Sequence, residues 1–329
     1  MANKNLTNAK KAKNDEFYTQ LTDIEKEMRH YKSFFNNKVV YCNCDDARES
    51  NFFKYFSLNF EHLGLKKLIT TGYKENGKGV VLVYEGDKNG NRIVDDSEII
   101  VTELEGDGDF RSPECIEFLK EADVVVTNPP FSLFREYVAQ LMEYGKKFLI
   151  IGNKNAVTYK EIFPYIKNNE LWLGCSITSG DREFQIPNDY ITHSSSLRID
   201  ENGRKYLRVP GVCWFTNINN TLRNTELDLY KKYNADEYPK YVNYDAIEVS
   251  KTCDIPADYN GVMGVPITFL FKYCPSQFEI LSCCEPAIKL DTLKLNPKFK
   301  EYKSRQIKYN GNICQKTYHR ILIKCKFAN

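Results

Sequence analysis

Short apolar runs alternate with helical periodicity over the first two-thirds of the chain, and nothing else in the sequence restricts the fold as much. Val39-Val40-Tyr41-Cys42-Asn43-Cys44 reads as a first buried strand that ends at Asp45-Asp46. Before it, Ile24, Met28, Tyr31 and Phe35 follow helical spacing behind the capping-box pattern Thr22-Asp23-Ile24-Glu25. After it come an aromatic helix (Phe52, Phe53, Tyr55, Phe56, Phe60) and a second strand, Lys67 to Thr71. Gly79 to Tyr84 and Arg92 to Val94 flank Gly86-Asp87-Lys88-Asn89-Gly90, which predicts an inserted β-hairpin. Strand signals return at Ile99 to Leu104, Val124 to Val126 and Phe148 to Ile151. Helices begin at Ser112-Pro113 and near Ser132, and Thr158-Tyr159-Lys160-Glu161 is a second capping-box pattern. This order predicts an α/β domain with a doubly wound, mostly parallel sheet over residues 15–220. An arm at 1–14 precedes it, and an irregular α+β region at 221–329 follows.

The strongest chemical signal is Asn128-Pro129-Pro130-Phe131, directly behind the strand Val124 to Val126. Ligands of open parallel sheets bind outside the carboxyl ends of the strands, which is where this tetrapeptide stands. Two prolines in succession stiffen the loop and carry no N–H, so their carbonyls can only accept. An Asn oxygen and a fixed carbonyl can together take both hydrogens of a planar amino group, while an adjacent ring stacks on its heterocycle. Taking both hydrogens localises the nitrogen lone pair as it attacks, which stabilises the transition state electrostatically. The competing reading is a proline turn that ends a strand.

The net charge of +2 conceals a segregation of charge. Residues 1–14 carry +4 and residues 289–326 carry +9, which leaves −11 for the rest of the +2 chain. Phe299, Tyr302, Tyr309 and Tyr318 are interleaved with the C-terminal cations, a mixture suited to a nucleic-acid backbone; an ordinary solvated basic surface is the alternative. No apolar run reaches the length of a membrane span, and the Lys/Asn-rich start is no secretory signal. Eleven cysteines are expected as reduced thiols of a cytoplasmic protein. Cys42-x-Cys44, Cys283-Cys284 and Cys314 with His319 lack the spacing of a structural zinc site, so no metal is expected. Gly86 to Gly90 has no phosphate-binding pattern and reads as a turn.

Long stretches then carry a resemblance. Asp15 to Gln20 (DEFYTQ), Val39 to Asp46 (VVYCNCDD), Ser50 to Phe56 (SNFFKYF), Gly106 to Ser112 (GDGDFRS), Val125 to Tyr137 (VVTNPPFSLFREY) and Asp254 to Leu270 (DIPADYNGVMGVPITFL) resemble the EcoRI-type DNA adenine-N6 methyltransferases of restriction–modification systems. The resemblance implies a Rossmann-like fold, S-adenosylmethionine as methyl donor, double-stranded DNA as substrate and a flipped-out target adenine. It implies that Asn128, Pro129 and Phe131 hold and stack that adenine, with Pro130 shaping the loop. On the cofactor side it implies Phe17, Tyr18 and Thr19 near the methionine moiety, and Asp109 and Phe110 on the adenine ring. Asn43 and Asp45 would lie near the amino acid end. There Cys42-Asn43-Cys44-Asp45-Asp46 replaces the usual Gly-x-Gly turn. Tyr73 stands in for the acidic residue that commonly holds the ribose. Residues 221–329 would read the target, with GAATTC the suggested site. A monomer is expected, with a cognate endonuclease in the same system. The alternatives are an amino-methyltransferase acting on RNA adenine, cytosine N4 or a protein glutamine amide, and a catalytically silent DNA-binding relative.

Overall fold

A computed structural model describes residues 18–44, 46–47, 49–74, 76–186, 194–242, 245–283, 306–309, 312–315 and 318–327, with the backbone alone at 309, 312, 314 and 315. The chain is mixed α/β and divides into two compact units, one of 1–153 with 173–218 and one of 154–172 with 219–329.

The first unit opens with α1 (Leu21–Met28), whose Ile24 and Met28 are fully buried; Tyr31 and Phe35 continue that face through a 3-10 turn. Neither Gln20 at its start nor Thr22 caps it through a side chain, so the capping-box expectation fails here. Strand β1 (Val39–Cys42) is buried throughout. Helix α2 (Asn51–Leu58) is capped by Ser50 Oγ, which accepts from Phe52 N at 3.1 Å, and α3 (Phe60–Leu63) follows. Strands β2 (Lys67–Gly72), β3 (Val80–Tyr84) and β4 (Ile99–Glu103) come next. The hairpin exists, but its return strand is β4; Arg92 to Val94 lie in the connecting loop. Helix α4 (Pro113–Glu121) has Ser112 as N-cap and proline in its first turn. Strand β5 (Val124–Thr127), helix α5 (Phe134–Glu143) and strand β6 (Lys147–Asn153) complete the alternation.

The eight-stranded sheet has the order β4-β3-β2-β1-β5-β6-β11-β7, where β7 is Trp172–Leu173 and β11 is Val212–Thr216. Strands β2, β1, β5 and β6 are parallel neighbours; β3 runs antiparallel between β2 and β4, and β11 antiparallel to β6. The three valines of β5 are wholly inaccessible to solvent, and each contributes roughly 1.5–3 kcal/mol of apolar burial. That burial on both faces explains why β5 reads as a continuous apolar run rather than as an alternation. A separate antiparallel sheet joins β8 (Asp181–Ile186), β10 (Lys205–Pro210) and β9 (Leu197–Ile199).

The second unit begins with a 3-10 turn over Lys154–Thr158 and α6 (Phe163–Lys167). Thr158 Oγ1 donates back to the Asn155 carbonyl and Ile162 precedes the helix, so the second capping-box expectation also fails. A seven-stranded sheet supports the rest of this unit. It comprises β12 (Lys240–Tyr241), β13 (Ala246–Glu248), β14 (Val262–Pro266), β15 (Phe278–Cys283), β16 (Gln306–Tyr309), β17 (Asn312–Gln315) and β18 (Arg320–Cys325). Its order is β15-β18-β14-β13-β12-β16-β17. At its centre Arg320 Nη2 donates to Glu248 Oε1 at 2.7 Å, and Tyr241 OH donates to the same carboxylate, all three buried.

Candidate active site

The chain leaves β5 through buried Thr127, Asn128 and Pro129, and emerges to half-buried Pro130 and Phe131. Leu133 N donates to the Pro130 carbonyl at 3.0 Å, which turns the loop into α5. That turn uses the Pro130 carbonyl and leaves Pro129 as the proline of the pair next to Asn128. Phe131 packs partly against the core of the first unit.

Asn43 ties this loop to the end of β1. Its backbone carbonyl accepts from Thr127 Oγ1, and its side-chain oxygen accepts from Tyr137 OH on α5. Asn43 and Tyr137 are both buried. Burial foremost holds the Tyr137 phenol far above its ordinary value, so it stays protonated and donates at any physiological pH. The Tyr137 ring meets Phe110 edge to face with 4.9 Å between centroids. The ends of β1 and β5, the start of α5 and the loop after β4 are thus joined through four buried side chains.

Beyond β4 the chain lies against the end of β2. Lys74 N donates to the Asp107 carbonyl at 2.8 Å, and Gly108 takes a left-handed φ of 82° beside the Gly72 carbonyl, where any Cβ would collide. Tyr73 is 41% exposed next to it. Asp109 forms a two-pronged pair with Arg111, whose Nε donates to Oδ1 at 2.8 Å and Nη2 to Oδ2 at 2.6 Å. That guanidinium holds the Asp109 carboxyl below the usual carboxylate range. Arg111 also donates to Glu136 on α5 at 3.3 Å and lies 5.2 Å from the Phe110 ring centre.

Tyr18 bridges Gln185 of β8, its N–H donating at 2.9 Å. The Thr19 carbonyl accepts from Asn51 Nδ2 at 2.7 Å, which sets Thr19 against the first turn of α2. Thr19 Oγ1 is buried with no hydrogen-bond partner among the described residues, an orphan of the kind a bound polar group satisfies. Phe17 and Asp45 lie outside the described residues.

The structure therefore brings Asn128, Pro129, Pro130, Phe131, Asn43 and Phe110 into one connected set, with Asp109 and Tyr73 on the loops beside it. Thr19 sits against the first residue of α2 and Tyr18 against β8. Sequence reasoning missed Arg111 and Tyr137. Arg111 could have been found as a cation two residues past Asp109. Tyr137 was in view as the end of VVTNPPFSLFREY, but no local pattern told a buried donor from an ordinary core tyrosine.

The profile of the family described as adenine-specific methyltransferase EcoRI matches residues 5–326. The chain belongs to that family. It is an adenine-specific methyltransferase. It is 54% identical over 290 residues to the type II methyltransferase M.EcoRI of Escherichia coli, covering 85% of this chain and 89% of the relative. It is 40% identical over 321 residues to the type II methyltransferases M.MgeORF184P of Mycoplasma genitalium, at 96% and 97% coverage, and M.MpnI of Mycoplasma pneumoniae, at 96% and 96%. With the EcoRI methyltransferase family shown, the stretches read from the sequence fall within its matched range. Among the described residues, no helix is long and apolar enough to cross a membrane.

Proposed function

We propose that this enzyme methylates N6 of an adenine flipped out of double-stranded DNA, as the modification half of a restriction–modification system. The observation that carries the reading is Asn128-Pro129-Pro130-Phe131 at the carboxyl end of β5, locked by Asn43 and Tyr137 to the loop after β1. In this reading the eight-stranded sheet is a Rossmann-like methyltransferase fold, with both substrates meeting at the ends of its parallel strands.

S-adenosylmethionine, when bound, supplies a methyl carbon already activated by a sulfonium. Thr19, with its orphaned buried hydroxyl, and Tyr18 would hold its amino acid end together with the loop of Asn43 and Asp45. Asp109 would accept from its adenine amino group, Phe110 would pack on that ring, and Tyr73 would face the ribose. Asn128 Oδ1 and the Pro129 carbonyl would each accept one N6–H of the target adenine, aligning the nitrogen lone pair for in-line attack. Extruding that base costs a few kcal/mol of unstacking, of which stacking on Phe131 would recover about 1–3 kcal/mol. The second unit and the basic segments at both ends would hold and read the duplex.

The test is transfer of labelled methyl from S-adenosylmethionine to duplex DNA, followed by digestion and separation of the nucleosides. The reading predicts label in N6-methyladenine at one short recurring site. Label in N4-methylcytosine, or in RNA rather than DNA, would overturn it.

A further inference from the structure

The loop between β3 and β4 carries a pattern that methyl transfer does not use. From Asp87 to Glu98 it reads DKNGNRIVDDSE. Oxygen-bearing side chains fall at the first, third, fifth, ninth and twelfth positions (Asp87, Asn89, Asn91, Asp95, Glu98), with the Ile93 carbonyl at the seventh. That is the ligand spacing of a twelve-residue calcium loop of the EF-hand type, whose last ligand is a glutamate that binds through both oxygens.

The loop is held closed by its own side chains. Asp87 accepts from Gly90 N and Arg92 N, each at 2.6 Å; Asn89 accepts from Asn91 N at 2.9 Å, and Asn91 from Ile93 N at 2.7 Å. Glu98 Oε1 accepts from Lys88 N at 2.7 Å and Asn89 N at 3.1 Å, which folds the carboxylate back over the start of the loop. Its other oxygen, Oε2, is buried and accepts from no donor among the described residues. A buried carboxylate oxygen without a donor is costly, and a cation is the ligand that relieves it. The surrounding field agrees. The Tyr84 phenol is raised by burial first and then by the carboxylates of Glu98, Asp87, Glu61 and Asp95. Of the loop's two cations, Lys88 is engaged by Glu85 at 3.1 Å. Among the described residues no three acidic, His or Cys side chains converge as a ready-made metal cluster. Asn89 and Asn91 donate their Nδ2 to Asp95 Oδ2 at 2.8 and 2.7 Å, so a cation must draw Asp95 away from those amides and use the Asn and carbonyl oxygens as well.

We infer that residues 87–98 form a calcium site. One departure from the pattern sets its strength. The sixth position, ordinarily glycine, is Arg92, which holds a left-handed φ of 62°. Both the strain and the positive charge weaken the site. With three carboxylates and that arginine, the dissociation constant is expected on the order of 10⁻⁵–10⁻³ M. Val94 and Ile99 attach the loop to the core of the first unit, so the bound cation stabilises the β3–β4 edge of the sheet. It acts at the start of β4, whereas Asp109 follows that strand's far end, so it takes no part in the transfer step.

The experiment uses the full chain after removal of cations by EGTA. Terbium is added and its emission excited through tyrosine, Tyr84 being close enough to sensitise it. Calcium is then titrated as competitor, with magnesium alongside and melting curves in each. The inference predicts emission that calcium displaces and equal magnesium does not, and a melting temperature about 2–4 °C higher at tenfold saturating calcium. Glu98→Gln should weaken calcium binding at least tenfold, and Arg92→Gly should tighten it severalfold, with methyl transfer unchanged in both. Arg92→Gly removes no hydrogen bond of the loop, so it decides the matter even where Glu98→Gln fails to fold. Identical melting in EGTA and calcium, equal stabilisation by magnesium, or no gain in affinity from Arg92→Gly would overturn the inference.

Discussion

Removing one hydroxyl, in Tyr137→Phe, tests whether the buried set around Asn43 organises the cofactor loop or merely fills the core. The ring and its edge contact with Phe110 survive the change. The donor to the Asn43 side-chain oxygen is lost, together with the hydroxyl's contact with Cys44, in a place where neither Asn43 nor Tyr137 reaches solvent. Leaving a buried acceptor without its donor costs about 1–3 kcal/mol. Where the loop after β1 can relax only by leaving its cofactor-competent shape, most of that cost falls on binding. A loss of 1.4 kcal/mol is a factor of about ten in affinity. The expected result is S-adenosylhomocysteine binding weakened about 5- to 50-fold by calorimetry, with a melting temperature a few degrees lower. Tyr31→Phe is the matched control. It removes another buried hydroxyl of the first unit, one that donates to Glu27 at 3.1 Å, and should lower the melting temperature without changing affinity. Equal cofactor affinity in the two variants, with comparable melting losses, would refute the role given to Tyr137.

Other perturbations follow from the same structure. Arg111 depresses the Asp109 carboxyl, so cofactor affinity should hold as pH falls through 5 and decline only below the usual carboxylate range; the Asp109–Arg111 stabilisation is present above the unfolded carboxyl value and lost as pH drops through the folded one. Arg111→Gln should shift that decline upward in pH, and an unmoved profile would contradict it. Arg320→Met leaves Glu248 buried without its cation and should cost about 3–5 kcal/mol, seen as an early melting transition; duplex binding should fall while S-adenosylhomocysteine binding persists. Glu27→Gln turns an amide donor toward one of Cys175 N and Ser176 N, which now donate to the two carboxylate oxygens at 2.8 and 2.7 Å. A loss of about 2–3 kcal/mol in denaturant unfolding is expected.

The sequence made the parallel part of the sheet legible because β1, β5 and β6 are buried on both faces and so read as unbroken apolar runs. Ser112-Pro113 revealed a helix start through local chemistry alone. The capping-box patterns at Thr22 and Thr158 misled, because the chain enters those helices at positions set by tertiary packing and not by the nearest hydroxyl. The second unit's sheet was hidden for another reason. Its strands run from two to six residues and pair across long separations, as β13 with β14 and β14 with β18, so no window of sequence holds a full repeat. At the site, Asn128 to Phe131 declared itself by composition. Tyr137 and Arg111 act through partners distant in sequence (Asn43 and Glu136), and only the fold shows those partners.

The central claim is that Asn128 acts on the transferring amino group. Its most direct test is the single-turnover rate of methyl transfer to duplex DNA by Asn128→Ala, with cofactor affinity measured on the same protein. A rate about 10²–10³-fold below the unmodified enzyme is expected, with cofactor affinity unchanged. A rate within threefold of the unmodified enzyme would contradict it.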